Sequence, residues 1–245
     1  MVSVYYEIDG ERYPHVTAIC AIVANMQLAY WRGRVGNAAA DRVSREATTL
    51  GTLVHAQIER FVKQQTESCM SGPCGRHPCS GWWAAMDERA IPLVRAYADW
   101  HAEHVRTIVA CERLTVSRMH RYAGTVDIVA ILDDDELPSV IDIKTSNSVG
   151  DSWGLQTAAY QLALDEEGTE CSRRIILQLP SREPGVLHHH DLENHDQDQR
   201  AFINALKLYR WKEGQKPIEA KGPRIRFGAR RSAGSDQQHR EEGGQ

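Results

Sequence analysis

Two residues of opposite charge, Asp142 and Lys144, interrupt an otherwise apolar or small-residue segment, SVIDIKTS (139–146). Side chains two positions apart on a β-strand point to the same face, so the carboxylate and the ammonium would emerge side by side. Burying such a pair is costly, because both charges lose their hydration. A pair with this spacing is more often a surface ion pair than a site, and its interpretation depends on the neighbouring segments.

A second carboxylate, Asp127, ends the segment GTVD (124–127) on the predicted preceding strand. The short polar turn at 133–138 makes the two strands antiparallel neighbours, which brings Asp127 close to Asp142. Two carboxylates a few ångströms apart repel, and one takes up a proton unless a cation lies between them. Oxygen ligands favour Mg²⁺ or Mn²⁺, so the sequence predicts a divalent cation at this point.

Two predicted helices carry further polar residues at a spacing of four. Gly51 and His55 in GTLVH lie on one helical face, and the glycine lets another backbone or a ligand approach closely. Gln156 and Tyr160 in QTAAY lie on one flank of the helix that follows the DIK strand. Each feature alone is weak, since a helical histidine is usually structural. Their combination in this order is much rarer by chance.

The order GTLVH, GTVD, DIK and QTAAY resembles the PD-(D/E)XK nucleases, specifically their RecB-like exonuclease branch. The segment YPHVTAICAIVANMQLAYWRGR (13–34) is also similar to the N-terminal part of phage and mitochondrial exonucleases of that branch. The resemblance covers residues 13–212, with an atypical stretch at 66–80. It implies a metal-dependent deoxyribonuclease that hydrolyses linear DNA from its ends in recombination, repair or phage DNA processing.

The resemblance also implies roles for individual residues. The ligands of Mg²⁺ or Mn²⁺ would be His55, Asp127, Asp142 and the carbonyl of Ile143. Lys144 would be the catalytic lysine, which orients the attacking water and stabilises the transition state. The helix behind the site would contact nucleic acid through Gln156 and Tyr160. One metal and two metals both remain open.

Glu112, Arg118 and Arg121 are weaker candidates. Glu112 lies on the first predicted strand, where it could support the catalytic site, although a strand glutamate is more often an edge charge. Arg118 and Arg121 are candidates for phosphate contacts in nucleic acid. Two other functions stay open: an endonuclease or flap-type nuclease on the same site, and a non-catalytic DNA-binding subunit with a relic nuclease fold.

A cysteine-rich stretch offers a separate metal hypothesis. Cys69, Cys74, His77 and Cys79 are the ligand types of structural Zn²⁺, but their spacing is not a standard zinc pattern. An ordinary loop is the competing interpretation. The sequence contains no phosphate-binding G-x-x-x-x-G-K-[ST] motif, so unwinding would need a helicase partner. A recombinase or a single-strand-annealing protein is another expected partner.

The hydrophobic pattern predicts an α/β fold in which a mostly antiparallel or mixed five-stranded sheet is flanked by helices. This is a restriction-endonuclease-like core with an N-terminal helical region. The predicted strands are 107–118, 123–132, 139–146, 173–181 and 184–192. The predicted helices are 24–36, 38–65, 81–105, 152–165 and 195–212, after an N-terminal hairpin.

The domain prediction is a single nuclease domain at 1–213 with a Cys/Gly/Pro-rich insertion at 66–80, followed by a basic tail at 214–245 that we expect to be disordered. The net charge of −4 argues against a protein that coats nucleic acid through bulk charge. No apolar run is long enough to span a membrane, and the first residues lack the apolar core of a signal peptide. We therefore expect a cytoplasmic protein of a bacterium or a phage-infected cell.

Overall fold

The computed structural model describes residues 4–23, 26–67 and 86–214 of the 245-residue chain. The strands are β1 Tyr5–Ile8, β2 Glu11–Pro14, β3 Val105–Ser117, β4 Tyr122–Leu132, β5 Ser139–Lys144, β6 Arg173–Gln178 and β7 His188–Asp191. The helices are α1 Val16–Cys20, α2 Met26–Val35, α3 Asn37–Glu67, α4 Ile91–His104, α5 Trp153–Glu166 and α6 His195–Gly214. Among the described helices, none is long and apolar enough to cross a bilayer.

The main sheet has the order β3-β4-β5-β6-β7. All neighbours are antiparallel except β5 and β6, which are parallel. Parallel neighbours need a crossover, and α5 is the helix in the chain between them. The predicted mixed five-stranded sheet is therefore confirmed, and β1 and β2 form the predicted N-terminal hairpin.

Several predicted boundaries need correction. The strand predicted at 184–192 is only β7, because residues up to 187 form a turn that includes Gly185 at a φ of 89°. The helix predicted from 81 begins at Ile91 in the described residues. Pro92 lies in its first turn, where the missing N–H has no helical partner to lose, so it starts the helix rather than kinking it.

Some predictions fall outside the described residues. Cys69, Cys74, His77 and Cys79 all lie there, as does the predicted tail apart from Gly214, so the zinc hypothesis and the disordered tail stay predictions. Helix α3 extends to Glu67 and includes the first two residues of the predicted insertion.

Strand β5 separates two apolar cores. Ile141 and Ile143 pack with α3 and α4 on one face of the sheet, whereas Val140 packs with α1, α5 and α6 on the other. Burying an aliphatic side chain of this size contributes about 1.5–3 kcal/mol, so these three residues hold the strand firmly between the layers. Because side chains alternate along a strand, Asp142 and Lys144 share the face of Val140 and are directed toward α5.

Two glycines set how closely the layers approach the strands. A Cβ added at Gly124 would lie 2.6 Å from Cε1 of Tyr160 and 2.9 Å from Cγ2 of Val16, so β4 packs directly against α5 and α1 there. A Cβ at Gly51 would lie 3.1 Å from Oγ1 of Thr145, just after β5. Gly51 therefore permits the close approach of a side chain, whereas the expected approach of a backbone or a ligand stays a prediction.

We expect Gly124→Ala to lower the free energy of unfolding by about 1–3 kcal/mol, because the added methyl overpacks the contact with Tyr160 and Val16. Gly33→Ala is the matched control. Gly33 lies inside α2 with no atom within 4 Å of the added Cβ, and alanine there should be neutral or stabilising by about 0.5–1 kcal/mol. Urea denaturation of both variants tests this, and equal stabilities would contradict the packing argument.

Candidate functional site

The site begins where β4 and β5 stop pairing. Backbone pairing between them covers only Ile128–Ala130 with Ser139–Ile141. One step further along the same register, Asp127 lies opposite Asp142. The backbone N–H of Ile143 donates to Oδ2 of Asp127 at 2.7 Å, so a side-chain carboxylate replaces the next acceptor of the ladder. This hydrogen bond fixes Asp127 at the point where the strands end their pairing.

Asp142 and Lys144 form an ion pair, with Nζ of Lys144 2.5 Å from Oδ2 of Asp142. Lys144 also donates to Oε1 of Gln156 at 3.1 Å. The amide nitrogen of Gln156 donates to Oδ1 of Asp142 and to the hydroxyl of Tyr160, both at 2.9 Å. The DIK and QTAAY segments are thereby joined in one polar network on the α5 face of the sheet.

Asp142 and Tyr160 are buried in this network, whereas Lys144 and Gln156 are partly buried. The Asp142 side chain is 1% exposed. Burial raises the pKa of Asp142 to about 6, because the nearby Lys144 ammonium offsets only part of the lost hydration. Burial pulls the pKa of Lys144 down, but the charges of Asp142 and Asp127 outweigh it and leave the pKa raised. Oδ2 of Asp142 is compensated by the Lys144 ammonium, whereas Oδ1 accepts from the Gln156 amide.

A second group of side chains meets on the other side of Asp127. One ligand atom from each of His55, Glu112 and Asp127 lies within 4.8 Å of the others. Nδ1 of His55 is 3.5 Å from Oδ1 of Asp127. Burial lowers the pKa of His55, but the hydrogen bond and charge of Asp127 more than reverse this and raise it. Burial and the charge of Asp127 raise the pKa of Glu112 to about 7.

Glu112 reaches this group through an unusual backbone. Its φ is 49°, in the left-handed region that a residue with a Cβ rarely adopts. The pairs on either side of it, Cys111 with Ile128 and Arg113 with Val126, place it opposite Asp127. In the sequence, the only signal for Glu112 is its position on the strand beside GTVD.

Two cavities border the site, and His55 and Asp127 line both of them. The larger, about 450 Å³, is also lined by Glu59 and Glu112. The smaller, about 200 Å³, contains the network of Asp142, Lys144, Gln156 and Tyr160 together with Tyr6 and His15. Thus the structure brings together the His55, Glu112, Asp127, Asp142, Lys144, Gln156 and Tyr160 side chains.

Arg118 and Arg121 lie elsewhere. Arg118 pairs with Asp9 at 2.8 Å and Arg121 pairs with Glu11 at 3.0 Å, both across to the β1–β2 hairpin. Neither arginine lines the two cavities. Their predicted contact with nucleic acid stays a prediction.

The mixed sheet has a carboxylate and a lysine on its central strand, and a second carboxylate on the adjoining strand. A model of the PD-(D/E)XK nuclease superfamily matches residues 26–222. The chain therefore belongs to the PD-(D/E)XK nuclease superfamily, as its motifs predicted. Nucleases of this superfamily generally use divalent metals, and the His55, Glu112 and Asp127 group supplies candidate ligands.

Solved structures give a weaker likeness. A candidate exonuclease from Eubacterium rectale is 9% identical with a TM-score of 0.41, covering 68% of this chain and 65% of that one. The chain thus spans just under two thirds of that protein. The protein SSO0001 is 16% identical with a TM-score of 0.35, covering 82% of this chain and 78% of that one. The comparison with curated proteins found no match.

We expect Gln156→Met to lower the free energy of unfolding by about 1–3 kcal/mol, since it leaves Oδ1 of Asp142 without its donor in a buried place. Tyr160→Phe should cost less, because Gln156 keeps its bond to Asp142. Urea denaturation of the two single variants and the double variant measures both costs and their coupling. A Gln156→Met variant as stable as the wild type would show that water replaces the amide at no cost.

Proposed function

We propose that this chain is a divalent-metal-dependent deoxyribonuclease that works as an exonuclease on linear DNA. The observation that carries the proposal is the position of Asp127 between two groups of side chains, one that offers metal ligands and one that contains a fixed ammonium. On one side lie His55 and Glu112, and on the other lies the buried Asp142–Lys144 pair. A bound cation can activate a water molecule, and an adjacent ammonium can stabilise the negative charge that develops when a phosphodiester is hydrolysed.

The proposed metal ligands are His55, Asp127, Asp142 and the carbonyl of Ile143, with Glu112 adjoining them. The grouping of His55, Glu112 and Asp127 supports this set, since one ligand atom from each lies within 4.8 Å of the others. The N–H of Ile143 points to Asp127. In a strand the N–H and C=O of one residue lie on the same side, so the Ile143 carbonyl faces Asp127 as well. Oxygen-rich ligands favour Mg²⁺ or Mn²⁺.

A divalent cation in this site would lower the pKa of a water molecule and neutralise charge on the phosphoryl oxygens. Lys144 contributes a second, fixed positive charge. Because its pKa is raised, it is an ammonium at neutral pH and donates hydrogen bonds rather than accepting a proton. It can therefore orient the attacking water oxygen and stabilise the charge that develops as the P–O bond breaks. Gln156 keeps the ammonium in place through its carbonyl oxygen.

The exonuclease assignment and the biological role rest on the motif resemblance. We place the activity in DNA recombination, repair or phage DNA processing, with a recombinase, a single-strand-annealing protein or a helicase as the expected partner. The competing function is an endonuclease on the same site. A non-catalytic subunit is disfavoured, because a relic would have no reason to keep the costly buried charges of Asp142 and Lys144.

The activity test uses linear and covalently closed circular DNA with Mg²⁺ or Mn²⁺. We expect the wild type to degrade linear DNA only, and EDTA to abolish this. Asp142→Asn and Lys144→Met should each lower the rate by at least about 100-fold, because the first removes an ionised metal ligand and the second removes a positive charge that stabilises the transition state. Lys207→Met, on the exposed face of α6, is the matched control and should leave the rate unchanged.

The outcomes separate the candidate functions. Cleavage of the circle as fast as linear DNA would replace the exonuclease with an endonuclease. Full activity of both active-site variants would refute the site. DNA binding without any metal-dependent turnover would support the non-catalytic subunit.

Cation binding should weaken as the pH falls. A divalent ion binds the ionised carboxylates, and without it Asp142 and Glu112 have pKa values of about 6 and about 7. Below those values the ion must displace protons, so the affinity drops by up to about tenfold per pH unit for each proton displaced. Titration calorimetry with Mn²⁺ between pH 5.5 and 8, in two buffers of different ionisation enthalpy, measures both the affinity and the protons released.

Glu112→Gln is the informative variant in that titration. It should release fewer protons near pH 7 than the wild type, while Asp142 still contributes near pH 6. An Mn²⁺ affinity that stays constant from pH 5.5 to 8 would show that these carboxylates do not face the ion.

A further inference from the structure

The smaller cavity has two halves of different chemistry. One half contains the charged side chains Asp127, Asp142 and Lys144. The other half is lined by Tyr6, His15, Thr17 and Thr125, and includes no carboxylate, ammonium or guanidinium group. A phosphate and a cation fit the first half. The second offers flat rings and hydroxyl groups, which the proposed hydrolysis does not use.

The two rings of the second half form a rigid pair. Tyr6 and His15 are stacked with their ring centroids 3.9 Å apart and their planes 13° from parallel. The hydroxyl of Tyr6 is hydrogen-bonded to Oγ1 of Thr125 at 3.0 Å. The backbone of His15 bonds to Val4 at 3.0 Å and forms a bridge with Ala123. The pair is thus attached to β4 a few residues before Asp127.

Simple structural packing does not account for this pair fully. The apolar residues that hold the hairpin and α1 in place, such as Tyr13 and Val16, are buried. Tyr6 and His15 are only partly buried and border an open cavity that also contains the Asp142 and Lys144 side chains. Because the rings are already fixed, a ligand that contacts them loses little free energy in ordering them.

We propose that Tyr6 and His15 form a nucleoside subsite, which receives the base and sugar beside the phosphate in the charged half. The proposal rests on the proposed function, because it takes a DNA strand as the ligand. Bases stack on aromatic side chains, and a threonine hydroxyl can bond to a sugar oxygen. The volume of about 200 Å³ is below the roughly 300 Å³ at which sites for drug-sized ligands begin. It therefore excludes a duplex, and a single nucleotide can place only part of its base and sugar there.

The subsite should tolerate every base. Stacking uses the π-face that all four bases share, so this contact does not by itself select one base. The structure therefore assigns to this pair a contribution to strand affinity without sequence preference.

The test compares two phosphate monoesters that differ only in their organic group, thymidine 5′-monophosphate and methyl phosphate. Their dissociation constants are measured by NMR titration with Mg²⁺ present. We expect the wild type to bind the nucleotide about 5- to 160-fold more tightly, the range that one base stacked on an aromatic side chain provides. Tyr6→Leu and His15→Ala should remove most of this preference and leave the affinity for methyl phosphate unchanged. Tyr6→Phe, which keeps the ring, should retain it.

Tyr30→Ala is the matched control, because Tyr30 is a 73% exposed tyrosine on α2 that lines neither cavity. Equal affinity of the wild type for the two ligands would overturn the subsite. So would a Tyr6→Leu variant that loses both ligands equally, since that is the result of a structural role. Because the readout is binding, selective binding of the nucleotide by a chain that fails to degrade DNA would refute the proposed function and still support the subsite.

Discussion

The structure depends on keeping two opposite charges side by side at the end of a central strand, the buried Asp142 and the partly buried Lys144. Each charge is tolerable only because the other is present, and removing one partner of a buried pair typically costs about 3–5 kcal/mol. The pair must also be held in register with a third group, Gln156, which bonds to both of its members. The surrounding elements therefore meet two requirements: they keep the two charges together, and they keep Gln156 in contact with both.

Sheet topology places Gln156 beside the charged pair. The parallel pairing of β5 and β6 requires a crossover, and the helix that provides it packs on the face where Asp142 and Lys144 emerge. Strand β5 supplies Asp142 and Lys144, and the helix that follows it supplies Gln156. An antiparallel β6 would not need this crossover, and Gln156 would then have no helix to hold it beside Asp142 and Lys144. The parallel direction of β6 therefore determines which side chain contacts the Asp142–Lys144 pair.

Local sequence was sufficient to predict this part of the fold. The period of two in SVIDIKTS predicted that Asp142 and Lys144 share a face, and the spacing of four placed Gln156 and Tyr160 on one flank of α5. The position of Glu112 could not be predicted in the same way. Its left-handed backbone depends on the pairing of β3 and β4 on either side of it, and a glutamate carries no local preference for that conformation.

The N-terminal wall of the smaller cavity was equally hidden from the sequence. The hairpin itself was expected from its turn, but the position of Tyr6 beside Asp142 results from contacts across more than 100 residues of chain, including the bond from Tyr6 to Thr125. Pairing of distant segments leaves no periodic signal. Helix and strand types were thus accessible from sequence, whereas the shape of the cavity was not.

The contact between Gly124 and Tyr160 has a consequence for how this chain can vary. The glycine belongs to GTVD and the tyrosine to QTAAY, two motifs that are far apart in sequence, yet the ring occupies the space that a Cβ at Gly124 would need. The two positions therefore share one volume. A larger residue at Gly124 is compatible with the present helix positions only if Tyr160 becomes smaller and Val16 also gives way, so these positions can change only together.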